Sequence, residues 1–275
     1  MRAALLLLAA LAASPAAAAD SRWDEYQLIM WQGQPAAALP GLQRLGFTGI
    51  KLIGNGGRID PQGLAETRAS GLPYYLENIA TDLYASYHRY TPGQPVTWRF
   101  DRDRARRRAD PADASVFVRE PGLSDPEALA AVRARLTTLA RTQAPDRPLF
   151  YNLADEAGIA DLAAPWDYDL APSSLAAFRA WLRRAYGTLD ALNAQWGAAY
   201  ADWDAVQPEL TDAAMRRTDS NYSAWSDFKA FMDAAFADAV RAGTDAVHAY
   251  IGLVMKKNQP QSIIRSKCLM PRSFS

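Results

Sequence analysis

The stretch PLFYNLADEAGIADL, residues 148–162, ends an apolar and aromatic run in two adjacent carboxylates, Asp155 and Glu156. Leu149, Phe150, Tyr151 and Leu153 read as a short buried strand, so both acids fall just past a strand end. A carboxylic acid at a partly dry strand end has its pKa raised by desolvation and can act as a general acid. Cleavage of a glycosidic bond needs such an acid, because the leaving oxygen must be protonated. Adjacent side chains point differently, so one carboxylate can face a cleft while the other braces it. The plainer reading stays open, since two acids after a strand also serve as a helix N-terminal cap or a solvated loop.

Other residues near expected strand ends carry weaker signals. Trp31 follows the first strand and could stack on the apolar face of a sugar, Asn55 follows the second, and Glu77 and Asn78 end the third. Trp166 and Asp167 lie in the loop after the fourth. Packing explains the tryptophans equally well, turn chemistry explains Asn55, and capping explains Asn78. His88 and His248 are the only histidines, and neither has a partner at metal-ligand spacing, so no metal or other cofactor is expected. Cys268 is the single cysteine, which excludes an internal disulfide.

The elements that must position these residues alternate. Strands are expected at 26–31, 47–53, 72–79, 148–153 and, fifth, 248–254. Helices are expected at 36–45, closed by Gly46, at 61–70, capped by Asp60, and at 125–142, where Asp125 caps and Pro126 starts. Two more are expected at 173–186 and 212–243. This rhythm predicts an α/β fold with parallel βαβ units, in which chemistry gathers at the carboxyl ends of the strands. The long connection 80–124 contains the charge run RFDRDRARRRADPADAS, read as a solvated excursion that could rim a site.

The segments YNLADEAGIADL, FRAWLRRAYGTLDALNAQWGAAYADWDAVQP and NYSAWSDFKAFMDAAFADAV resemble the β-galactosidase-like glycoside hydrolases of the family 42 type, within a clan of retaining barrel enzymes. The pattern from Phe178 to Gly197 is the most specific part, and the resemblance runs from about Tyr26 to Val254. It implies a (β/α)8 TIM barrel, of which this chain holds the N-terminal portion, about five βα units. It also implies a retaining two-carboxylate mechanism on a β-linked carbohydrate such as a β-galactoside. The acid/base glutamate at the end of the fourth strand corresponds to Glu156, and Asp155 stands where the clan has an asparagine. The nucleophile, a glutamate at the end of the seventh strand, has no match in this chain. Asp155, Trp31, Asn55, Glu77, Asn78 and Trp166 form the expected substrate-binding set. The alternative is a non-catalytic carbohydrate-binding protein or an inactive fragment.

The chain ends have their own character. Arg2, an apolar stretch and the small residues to Ala19 have the order of a secretory signal peptide, so 1–19 is expected to be removed and the protein to be secreted or periplasmic. Residues 20–254 form the expected barrel domain. The tail 255–275 has no alanine and neither helical nor strand period, and it is expected to lie outside the fold, as a frameshift or truncated gene would produce, with a genuine basic tail as the alternative. A formal net charge of +0 argues against a nucleic-acid partner, and no membrane is expected after removal of the signal. Oligomerisation is an open possibility, because about five strands do not close a barrel alone.

Overall fold

The computed structural model describes residues 21–85, 93, 98–159 and 167–258, with side chains not described at 21, 55, 98–100 and 250–258. The expected signal segment, His88, Trp166, Cys268 and residues 259–275 of the tail lie outside the described residues.

Three parallel strands, β1 (Ile29–Met30), β2 (Gly49–Ile53) and β3 (Tyr74–Glu77), lie in the order β1-β2-β3. Residues 149–153 add a fourth parallel segment at the edge. Leu149 N–H donates to Tyr74 O (2.7 Å), Asn152 N–H to Leu76 O (2.8 Å) and Leu76 N–H to Phe150 O (3.1 Å), and Leu76 pairs with Tyr151. The helices between them form where their caps and apolar faces allow. After α1 (Leu39–Arg44), α2 (Pro61–Ser70) starts at Asp60, whose carboxylate accepts from Gly63 N–H. Past the short α3 (Thr81–Tyr84), the expected excursion contains a helix, α4 (Trp98–Ala109). Asp103 is buried there against Arg102 and Arg106, which explains how so charged a run keeps one acid inside. The helix α5 (Pro126–Gln143) is capped by Asp125, which accepts from Glu127 and Ala128 N–H, and it buries Val132, Leu136, Leu139 and Ala140.

The C-terminal portion is helical. It comprises α6 (Pro172–Tyr186), α7 (Leu189–Trp196), the single turn α8 (Thr211–Ala214) and α9 (Ser223–Asn258). Two expectations change here. The helix predicted for 212–243 is interrupted between α8 and α9, where Ser220 has φ 58 and Asp219 accepts from Arg217 and Asn221 N–H. The fifth strand predicted for 248–254 is instead part of α9. Gly243 reads in the sequence as a helix end, yet it sits inside α9 because the buried Tyr84 ring packs against its Cα. A Cβ there would overlap the Tyr84 hydroxyl, which donates to Ala239 O at 2.7 Å. A short apolar run after a helix is not distinguishable from its continuation by periodicity alone.

One core joins the helical layer to the sheet, with Ile50, Leu52, Tyr74 and Leu76 of the strands meeting Leu136, Phe178, Leu192 and Phe228 of the helices in one buried cluster.

Candidate active site at the carboxyl ends of the strands

Register decides which side chains share a face. Ile29 pairs with Gly49, Lys51 with Tyr75, Ile53 with Glu77, and Leu76 with Tyr151. Since successive side chains alternate, Trp31, Lys51, Ile53, Tyr75, Glu77, Phe150 and Asn152 belong to one face, opposite the helices. The contacts agree. Tyr75 and Phe150 stack with centroids 4.3 Å apart, and Lys51 Nζ lies 4.9 Å from the Trp31 ring centroid. Toward the carboxyl end of this face, Trp31 Nε1–H donates to Glu77 Oε1 at 3.3 Å. Glu77 is 1% exposed, and its Oε2 has no hydrogen-bond partner among the described residues. Burial first, and then the adjacent Glu77 carboxylate, push the Tyr75 phenol above its ordinary range.

The carboxylate pair sits just beyond. Asn78, at φ 60, takes the left-handed conformation that asparagine tolerates, and its Oδ1 accepts Asp155 N–H at 2.7 Å. This ties the end of β3 to the loop carrying both acids. The same loop is held further on by Gly158 N–H, which donates to Tyr84 O (2.9 Å), and by the buried Arg119, whose Nε donates to Ile159 O (3.2 Å). Glu156 has φ 51 and is exposed, while Asp155 is half-buried. Within the described residues, the dry environment a general acid uses is therefore built around Glu77 and not around Glu156.

The structure thus brings Trp31, Glu77, Asn78, Asp155 and Glu156 to one end of the sheet. Asn78 spends its side-chain oxygen on the loop backbone. The backbone at Asn55 lies in a turn, where Gly56 N–H donates to Asn78 O (3.2 Å), which puts it beside the same end. Trp166 is outside the described residues. Asp167, next to it in sequence, is buried and fully engaged by Thr211 N–H (2.9 Å), Thr211 Oγ1 (2.6 Å) and Lys229 Nζ (2.6 Å), so it anchors α8 to α9.

Sequence reasoning passed over Asn152, which lies between Tyr151 and Leu153 just ahead of the two acids. Its buried Oδ1 has no partner among the described residues, and alternation from Phe150 already turned it to the Glu77 face. No group of three or more His, Cys, Asp or Glu side chains among the described residues is placed to hold a metal ion, and no described helix is long and apolar enough to cross a membrane.

The residues of the specific 178–197 pattern lie in the helical layer, away from the acids. Phe178 packs on Trp196 (6.3 Å) and Phe228 (5.4 Å). Tyr186 and Trp196 Nε1 both donate to Asp227, at 2.5 and 2.8 Å. Asn193 closes the following turn through Tyr200 N–H and Tyr200 O, both at 2.9 Å. Gly197, at φ 64, ends α7 in the left-handed conformation.

Comparison with known proteins places this arrangement. The β-galactosidase model of glycoside hydrolase family 42 matches residues 155–266, from the carboxylate pair through the helical region. Among solved structures, the β-galactosidase of the psychrophilic Marinomonas ef1 is 18% identical with a TM-score of 0.55, covering 82% of this chain and 36% of that one. The β-galactosidase from Bacillus circulans sp. alkalophilus is 13% identical with a TM-score of 0.54, covering 82% and 34%. The catalytic domain of β-amylase from Paenibacillus polymyxa is 14% identical with a TM-score of 0.56, covering 85% and 65%. The chain spans about a third of the length of the β-galactosidases it matches. At these identities the structures speak for the fold, a partial α/β barrel shared with these enzymes, and the family model speaks for the sequence. By both, this chain resembles the β-galactosidases of glycoside hydrolase family 42.

Proposed function

We propose that the chain carries the acid/base half of a retaining glycoside hydrolase acting on a β-linked carbohydrate, with β-galactosides as the first class to test. The observation that carries this is the gathering of Trp31, Glu77, Asp155 and Glu156 at the carboxyl end of a parallel sheet, where a family 42 model begins its match at Asp155. Glu156 would protonate the leaving oxygen and then deprotonate water, from an exposed position on the loop. Apo geometry is looser than that of a Michaelis complex, so closure around substrate supplies the desolvation. The nucleophile of the retaining pathway would come from outside the stretch that carries the resemblance. Export, with removal of 1–19, belongs to the same reading, and N-terminal sequencing of material from outside the cytoplasm should begin near Asp20.

The chemical test uses an external nucleophile. Azide should convert an activated aryl β-galactoside on this chain to the α-galactosyl azide, because one displacement inverts the anomeric centre. Glu156→Gln should slow substrates with poor leaving groups by about 10²-fold or more and dinitrophenyl galactosides far less. Absence of azide-dependent product, or equal losses on both substrates, would overturn the assignment of Glu156.

A non-catalytic carbohydrate-binding protein is the second reading, favoured by the exposed setting of Glu156. It predicts glycoside binding without azide-dependent turnover.

A further inference from the structure

The site face of the sheet holds two buried acceptors that the fold leaves unmet. Among the described residues Glu77 Oε2 has no hydrogen-bond partner, and one strand over neither has Asn152 Oδ1. The pairing of Leu76 with Tyr151 places residues 77 and 152 side by side, and alternation turns both to the face that carries Trp31. Among the described residues Glu209 Oε2 is likewise without a partner, away from the sheet, whereas two other buried acids are engaged on both oxygens. Asp169 accepts from Arg119, Leu123 and Ala171 N–H and from Ser174 Oγ, and Asp167 from Thr211 and Lys229. Buried polar atoms without partners are rare because each loses its hydration without compensation. Two such acceptors, adjacent and at the end of the sheet where the acids lie, call for two adjacent donors from a ligand.

We propose that Glu77 and Asn152 form a sugar-hydroxyl subsite, accepting hydrogen bonds from two neighbouring hydroxyls of one pyranose ring whose apolar face packs on Trp31. This rests on the carbohydrate reading above and deepens it, naming the residues that select the hydroxyl pattern. Trp31 is 51% exposed, and Lys51 Nζ sits over its ring, so the indole combines an open surface with a braced position. Its bond to Glu77 is 3.3 Å, at the weak end of the range, and a sugar hydroxyl replaces it at little cost as Trp31 shifts to stack. A buried carboxylate accepting from a hydroxyl makes a charge-assisted bond, stronger than one between neutral groups.

The test is a binding series on the full chain by calorimetry, with methyl β-galactoside, methyl β-glucoside and the monodeoxy analogues of whichever binds. In the unaltered chain, deletion of either of two adjacent hydroxyls should weaken binding about tenfold or more, and deletion of the others much less. Glu77→Gln, which keeps shape, should weaken the parent sugar about tenfold and abolish the penalty for one of those two deletions. Asn152→Ala should do the same for the other. Deoxy analogues that all bind like the parent would overturn the subsite, and this arm needs no variant to fold. Full deoxy penalties retained in both variants would overturn it as well, while leaving the carbohydrate reading intact. A chain that binds neither glycoside would overturn both.

Discussion

Two regions of this chain bury carboxylates in opposite ways. In the helical layer Asp169 is fully buried with four donors on its two oxygens, and Asp227 collects Tyr186 and Trp196. At the strand ends Glu77 is equally buried, yet beside the Tyr75 phenol it has a 3.3 Å indole bond on one oxygen and no hydrogen-bond partner among the described residues on the other. The first pattern stabilises the fold, because each donor would otherwise be stranded. The second contributes little to the fold and leaves one oxygen without a donor among the described residues. A buried acid is therefore informative about function only after its hydrogen bonds are traced.

The largest effect that would break this comparison is at Asp169. Asp169→Ala strands three backbone N–H groups and the Ser174 hydroxyl, and should cost about 3–5 kcal/mol, read from the midpoint of denaturant unfolding. A loss under about 1 kcal/mol would mean the network is not structural.

Alkaline pH probes the buried and half-buried phenols on both sides of the comparison. Burial raises Tyr186 in the helical layer, Tyr151 on the strand segment and Tyr84 at their junction to about 12 from an ordinary 10.0. A raised folded pKa means stability that is complete below pH 10 and lost as pH rises toward 12. Thermal midpoints should therefore fall across pH 10–12, and replacing Tyr186 with Phe should flatten part of that fall.

Gly243 tests how the two regions meet. Gly243→Ala gains helix propensity of about 1 kcal/mol, but its methyl group meets the Tyr84 hydroxyl and ring. The net should be a destabilisation of about 1–3 kcal/mol. Combination with Tyr84→Phe should recover part of it, and simple additivity of the two changes would show that this contact is not the cause.

The smallest effect belongs to Glu77. Glu77→Gln should leave unfolding stability within about 1 kcal/mol of the unaltered chain, because among the described residues only the long indole hydrogen bond and the interaction with the Tyr75 phenol are at stake. A loss as large as that at Asp169 would remove the distinction between the two regions.

By itself the sequence determined what local chemistry dictates. Asp60 and Asp125 with the prolines after them set the starts of α2 and α5, and the apolar runs set the strands and the parallel α/β class. The 178–197 pattern was specific enough to carry the resemblance, although its side chains pack in the helical layer and not at the acids. The position of Asp155 and Glu156 past the strand at 149–153 was equally legible, because apolar alternation marks where a strand stops. Tertiary structure alone decided the rest. Residues 248–254 continue α9, and Gly243 sits inside that helix against Tyr84, a contact that spans more than 150 residues of sequence. Asp167 and Glu77 look alike in sequence, as acids in or beside a strand-end loop. Only the arrival of Thr211 and Lys229 at one, and of no donor among the described residues at the Oε2 of the other, separates the two. Such partners come from distant elements, so neither spacing nor composition could supply them.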